Sequence, residues 1–229
     1  MRPPWWARPT AAALFGTGGL WPVRVHGADA VPVTGPALFA SNHTGFLDGP
    51  MLVAASPRWV QCLVKTEMFH PPLAPLLHSA GQIPVQRDRG DRVALGHALD
   101  VLAADGAIGV FPEGTRGRGD VGSVRLGVAW LALRSGAPVV PVACLGARRT
   151  GASPHGLPRV RTRLHVVFGT PRVLRPRPGV PGRQALAEAG ATVQQWLAAH
   201  VAAAVDLTGQ PLPDDLGATA EENARGEQP

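Results

Sequence analysis

Seven short apolar runs, separated by segments of helical period, constrain this chain more tightly than any other feature of it. The runs fall at residues 23–25, 37–40, 59–64, 83–85, 107–111, 139–145 and 164–168, and each has the length of a strand. Helices are expected near 49–55, 71–78, 92–104 and 124–134. A further helix at 183–205 carries Leu186, Ala189, Val193, Trp196, Leu197, Val201 and Ala204 on one stripe, which packs it back on the sheet. Strands and helices alternating in this way predict an α/β fold, a single domain whose mostly parallel central sheet is flanked by helices. The chemistry of such folds sits in loops that follow the strands.

Charge divides the chain unevenly. Asp206, Asp214, Asp215, Glu221, Glu222 and Glu227 stand against Arg225 alone, a net −5 over residues 206–229 that leaves +11 on residues 1–205 out of a total of +6. The body therefore suits anionic partners, and the polar, Gly- and Pro-containing tail is expected to be disordered. Cys62 and Cys144 lie inside apolar runs and read as buried small hydrophobes rather than a disulfide framework. No His, Cys or carboxylate cluster has metal-ligand spacing, so neither a metal nor a cofactor is expected. Residues 11–25 are apolar but hold Gly16, Gly18, Gly19 and Pro22, and they fall short of a bilayer-spanning length. Neither a cleaved signal peptide nor a transmembrane helix is expected. Arginine supplies 21 of the 22 basic residues, Lys65 being the sole lysine, a bias that a GC-rich bacterial genome gives.

Three strand ends carry candidate chemistry. The first is Ser41-Asn42-His43-Thr44-Gly45-Phe46-Leu47-Asp48, in which a histidine and a carboxylate stand five residues apart. On a continuous helix they would point roughly 140° apart, whereas a strand-to-helix turn can bring them together. A carboxylate on one imidazole nitrogen fixes the tautomer and lets the other nitrogen take a proton. Alone, this fragment fits a helix-capping Asp48 and a satisfied turn histidine better. The second is a buried strand at 107–111 running into Pro112-Glu113-Gly114-Thr115-Arg116-Gly117-Arg118-Gly119, a glycine-rich, arginine-bearing loop suited to an anion. The third, Gly81 to Arg89, delivers Arg87 to a loop in the same manner. A solvated basic rim accounts for Arg89 and Arg118, while function is preferred for Arg87 and Arg116.

Together these pieces become specific. Asn42-His43 with Asp48, Gly81 to Arg87, Phe111-Pro112-Glu113-Gly114-Thr115-Arg116 and Pro138-Val139-Val140-Pro141-Val142 resemble, in order and spacing, the four motif blocks of the 1-acylglycerol-3-phosphate acyltransferase family. The resemblance covers about residues 23–175, with Lys65-Thr66-Glu67-Met68-Phe69 and Phe168-Gly169-Thr170-Pro171 included. It implies a general base at His43 oriented by Asp48. It implies an acceptor phosphate held by Arg87 and Arg116, a pocket shaped by Glu113, Gly114 and Thr115, and Lys65 as a further phosphate contact. The partners implied are a lysophospholipid acceptor and an acyl-CoA or acyl carrier protein donor. Gln86 departs from the pattern, standing where the second block usually has an aspartate, and Arg125 replaces a lysine common after the third.

Without a G-x-S-x-G elbow and with both cysteines buried, direct attack by the acceptor hydroxyl is favoured over an acyl-enzyme. Backbone N–H groups of the 44–46 turn are candidate oxyanion donors. Three rivals are weaker. Gly117-Arg118-Gly119-Asp120-Val121-Gly122 matches the dinucleotide pattern, but it starts six residues beyond Phe111 and has no acidic partner near position 142. A non-catalytic module binding anionic lipid predicts binding without turnover, and nothing resembles a nucleic-acid-binding motif. The expected organisation is a Trp-rich membrane-contact segment at 1–22 (Trp5, Trp6, Trp21), an acyltransferase domain at 23–205 and the acidic tail at 206–229. Interfacial aromatics beside Arg2, Arg8 and Arg24 suggest peripheral attachment to an anionic membrane surface, on the cytoplasmic face of the cell membrane.

Overall fold

All seven apolar runs are strands of one sheet: β1 (Val23–His26), β2 (Ala37–Ser41), β3 (Gln61–Lys65), β4 (Ile83–Val85), β5 (Ala107–Val110), β6 (Val139–Leu145) and β7 (Leu164–Phe168). These come from a computed structural model that describes residues 4–86, 91–175 and 179–215. The order across the sheet is β1-β7-β6-β2-β5-β3-β4. Neighbours pair in parallel except β6 with β7, which run antiparallel. Every residue of β2, β5, β6 and β7 is buried, as a sheet covered by helices on both faces requires.

Side chains alternate between two cores. Leu38 and Ala40 face a cluster built with α4 (Arg92–Ala103), α5 (Gly127–Ser135) and α6 (Gly182–Thr208). Ala37 and Phe39 face the opposite cluster, with Met51 and Leu52 of α2 (Asp48–Ala55) and Phe15 at the end of α1 (Ala7–Phe15). The short α3 (Leu73–Ser79) precedes β4.

Parallel register decides where the chemistry falls. Ala40 of β2 lies opposite Val110 of β5 on one side and Pro141 of β6 on the other. The three strands thus end side by side, bringing together the loops after residues 41, 110 and 145, and β3 ends at Lys65 just beyond β5.

Two expectations change. The N-terminal segment contains a helix, α1, where none is expected, and Phe15 and Trp21 are buried in the core. Trp21 also donates its indole N–H to the Pro158 carbonyl at 3.0 Å. At the other end, α6 continues to Thr208 and residues 209–215 fold back on the domain, so the expectation of a disordered tail fails for 206–215. Its physical reason is partner chemistry: Asp215 meets a buried arginine instead of water. Residues 216–229 lie outside the described residues.

Candidate active site

His43 and Asp48 meet. Asp48 is wholly buried and its Oδ2 lies 2.9 Å from His43 Nδ1. The same oxygen accepts the N–H groups of Thr44 at 2.6 Å and Gly45 at 2.8 Å. Asp48 thus opens α2 but turns back to close the loop before it, which is how a five-residue spacing becomes a contact. Those bonds narrow one expectation, since the Thr44 and Gly45 N–H groups serve Asp48 and leave the Phe46 N–H as the oxyanion candidate of that turn. With Nδ1 against the carboxylate, Nε2 is the ring nitrogen suited to proton transfer. The side chain is 8% exposed and its ring lies against the Phe111 ring at 4.4 Å between centroids.

The motif's asparagine has a separate role. Asn42 accepts the Cys144 N–H at 2.8 Å and donates to the Cys144 carbonyl at 3.2 Å, extending the β2–β6 pairing by one side-chain rung beneath His43. Cys144 and Cys62 are both buried, and burial raises both thiols, Cys62 to about 12. Neither suits an acyl-thioester intermediate.

The loop after β5 is fixed to the dyad by backbone. The Gly117 N–H donates to the His43 carbonyl at 2.9 Å, and the Arg125 N–H to the Pro112 carbonyl at 2.7 Å. The second bond holds the chain extended ahead of α5, which therefore begins at Gly127 rather than near 124. Gly114 has φ +76°, and a Cβ there would sit 2.2 Å from Arg125 Nε, so any larger residue would push this arginine out of the loop.

Glu113 faces the dyad's backbone, accepting the His43 N–H at 2.8 Å. Burial raises its carboxyl to about 7, against the opposing pull of that bond. A group whose pKa rises on folding is stabilising below its unfolded value and loses that advantage as pH climbs. Relative to Glu113→Gln, whose amide oxygen can still take the His43 N–H, the native protein should therefore lose stability, on the order of 3 kcal/mol, across the window from about 4.5 to about 7. Melting temperatures of both proteins between about pH 5 and pH 8 check this. Parallel curves would mean that Glu113 does not titrate in that window.

Arg116 lies beyond. Its guanidinium stacks over the Phe46 ring at 5.4 Å and its Nη1 sits 2.9 Å from His155 Nδ1. Its Nε is buried without a hydrogen-bond partner among the described residues, a donor waiting for an acceptor. Burial lowers its pKa, with the nearby Asp48 charge opposing. Lys65, on the adjoining edge, is half-exposed and pairs with Glu67 at 2.9 Å. His155 is lowered by burial and then by the charges of Arg116 and Lys65, so three basic side chains share one end of the site. Thr115 is exposed, and Arg87 lies outside the described residues. At the neighbouring strand end the Gln86 N–H donates to Asp91 Oδ2 at 3.0 Å, and Asp91 also caps α4 through Val93 and Ala94. An aspartate thus ties the end of β4 to the start of α4, although Gln86 itself is none.

The sequence reading missed Phe46, Phe111 as a ring partner, His155 and Arg148. None carries a local signal, because each acts across loops that only the sheet brings together.

Known proteins resemble this chain in sequence and in fold. A chloroplast 1-acyl-sn-glycerol-3-phosphate acyltransferase of Arabidopsis thaliana is 29% identical over 143 residues, 59% of this chain and 40% of its own length. A second, from Brassica napus, is 28% identical over the same length, 41% of its own. The 1-acyl-sn-glycerol-3-phosphate acyltransferase of Bacillus subtilis is 27% identical over 126 residues, 54% of this chain and 63% of that one. The chain thus spans about two-fifths of the plant relatives it matches. The crystal structure of the 1-acyl-sn-glycerophosphate (LPA) acyltransferase from Thermotoga maritima shares the fold, with a TM-score of 0.57 and 20% identity over 77% of this chain and 71% of that one. A family model described as Acyltransferase matches residues 22–145, more than half of the 229 residues and every residue of the His43–Asp48 and Glu113–Arg116 loops, and the chain belongs to that acyltransferase family.

Proposed function

We propose that this chain transfers a fatty acyl group from an acyl-CoA or acyl carrier protein thioester to the free hydroxyl of 1-acylglycerol-3-phosphate, giving phosphatidic acid. The observation that carries the reading is a base beside an anion anchor: the His43–Asp48 pair at 2.9 Å and, on the loop bonded to the His43 carbonyl, Arg116 with a buried Nε that has no partner among the described residues. Three relatives bear the name of that reaction. In the proposed step His43 Nε2 takes the acceptor proton as the hydroxyl oxygen bonds to the thioester carbonyl carbon. Collapse of the tetrahedral intermediate breaks the C–S bond, the imidazolium protonates the leaving thiolate, and Asp48 steadies the imidazolium. Arg116, with Lys65 and Arg87, would hold the acceptor phosphate.

A screen of lysolipid and amino-lipid acceptors with a labelled acyl thioester, read by lipid mass spectrometry, tests this. Phosphatidic acid should dominate the products. A different acylated lipid would move the acceptor assignment, and binding without thiol release would favour a non-catalytic lipid-binding module.

No helix among the described residues is long and apolar enough to cross a membrane, and we propose peripheral contact with anionic lipid through the N-terminal end. Trp5 is 88% and Leu20 46% exposed, beside a body of net +11. Each basic residue near an anionic surface adds about 1 kcal/mol of attraction. Deleting this segment would strip Phe15 and Trp21 from the core, so Trp5→Ser with Leu20→Ser is the cleaner test. Co-sedimentation with anionic vesicles should fall several-fold and be salt-sensitive, with activity on a short-chain soluble acceptor retained. Unchanged vesicle binding would refute the contact.

A further inference from the structure

We propose that Arg148 and Asp215 are positioning residues, a clamp through which the segment after α6 holds the dyad loop and the Arg116 loop in register. The clamp rests on the acyl-transfer reading above, and both of its residues lie beyond the family match, which ends at residue 145.

Arg148 leaves the end of β6 with its side chain 1% exposed. Its Nε donates to the Thr44 carbonyl at 3.1 Å, and Nη2 donates to the Gly117 carbonyl at 2.9 Å. Thr44 follows the base, and its own N–H is held by Asp48. Gly117 follows Arg116, and its N–H is bonded to the His43 carbonyl. One planar guanidinium thus spans the two loops whose spacing sets the distance from base to anion anchor.

The charge is met from the far end of the chain. Asp215 Oδ1 lies 2.5 Å from Nη1, and the Asp215 carbonyl accepts from Nη2 at 2.7 Å. The other carboxylate oxygen accepts the Gly151 N–H at 2.6 Å, and Asp214 donates its N–H to Thr150 at 3.2 Å. The Arg148 hydrogen bond foremost, and then the Gly151 N–H, hold the Asp215 carboxyl below the ordinary range. Between α6 and Asp215, Leu212 packs against the first core, and its Cδ2 would lie 3.6 Å from a Cβ placed on Gly119. Gly119 has φ +72°, and that Cβ would strike Thr44 at 2.4 Å. The loops, the clamp and the segment carrying Asp215 are therefore packed without slack around the dyad.

An ion pair with one partner buried and the other 25% exposed contributes little net stability, because desolvation and solvent screening offset the attraction. What this one supplies is geometry, and misplacement of reacting groups by about 1 Å costs on the order of 10²-fold in rate. Arg148→Lys separates the two roles. The ammonium can still pair with Asp215, but a point charge cannot bridge Thr44 and Gly117 as the fork does. Full-length R148K should show kcat lowered about tenfold or more, with KM for the acyl thioester within about twofold of wild type. Amide hydrogen exchange at residues 43–48 and 116–120 should quicken. Wild-type kcat in folded R148K, or unchanged exchange at both loops, overturns the clamp. If R148K does not fold, Asp215→Asn, which keeps the shape and removes the charge, should lower kcat about threefold or more and quicken the same amides. Unaltered kcat and exchange there overturn it equally. A wild-type chain that acylates no lysolipid would instead defeat the functional reading, while the exchange measurement still decides whether Arg148 holds the loops.

Discussion

His43→Ala is expected to lower turnover by about 10²–10⁴-fold, the usual worth of a positioned general base, in a protein that remains folded. The ring is small and lies against Phe111, so its loss should cost no more than about 2 kcal/mol. Asp48 separates the chemical role from the structural one. Its Oδ2 accepts from Thr44 N, Gly45 N and His43 Nδ1, while Oδ1 lies 3.5 Å from Thr44 Oγ1. In Asp48→Asn the amide oxygen can occupy the first position and the amide nitrogen can face the hydroxyl, so the loop stays closed. The negative charge that steadies the imidazolium is gone. Asp48→Asn should therefore lose turnover on the scale of His43→Ala with a modest change in melting temperature, whereas Asp48→Ala should also unfold more readily, having left three N–H groups buried without an acceptor. Combining His43→Ala with Asp48→Asn should cost little more than either alone, because the pair acts as a unit. Steady-state rates with thermal melts on all four proteins check this. Near-native turnover in folded His43→Ala would remove His43 from the chemistry.

The strands were legible because a strand buried on both faces leaves a nearly continuous apolar run, as the four fully buried strands of this sheet do with His165 the one interruption inside them. The fold class then placed the chemistry in the loops after the strands, and the register of β2 with β5 and β6 delivers those loops to one edge. What the sequence hid depends on partners far along the chain. The helix at Ala7–Phe15 was obscured by Gly16, Gly18, Gly19 and Pro22, which in fact mark its end and the turn into β1. Asp215 sat in a run of carboxylates that composition assigns to solvent, yet it meets Arg148, 67 residues away. Glu113 was legible as part of a motif but not in its role: a carboxylate in a basic loop suggests a pocket wall, whereas it accepts the backbone N–H of the base. The oxyanion expectation narrowed to Phe46 for a related reason, as the Thr44 and Gly45 N–H groups were already needed to hold Asp48. Motif spacing identifies which residues gather; the allocation of backbone donors among them is settled only by the folded loop.

Arg116 carries the second large effect. Its Nη1 lies beside His155 and its plane over Phe46, and Nε is buried with no partner among the described residues. An unpaired, buried guanidinium N–H is costly unless a ligand answers it, and a phosphate oxygen supplies both the acceptor and the charge. A hydrogen bond to a charged group is worth about 1.5–3 kcal/mol, so losing one should cost roughly 10–100-fold, and losing a bidentate pair more. Arg116→Ala should accordingly raise KM for a phosphate-bearing acceptor by that factor or lower its kcat/KM equally, while KM for the acyl thioester stays within about twofold. Arg116→Lys should recover little, because an ammonium can match neither the fork nor the stacking on Phe46. The sharper comparison uses the acceptor itself. Against a lysolipid lacking the phosphate, wild type and Arg116→Ala should perform alike, for the interaction that distinguishes them is gone. Steady-state kinetics with both acceptors measure this directly. An equal loss for donor and acceptor, or an equal loss on the phosphate-free lipid, would assign Arg116 to holding the loop after β5 rather than to gripping the substrate.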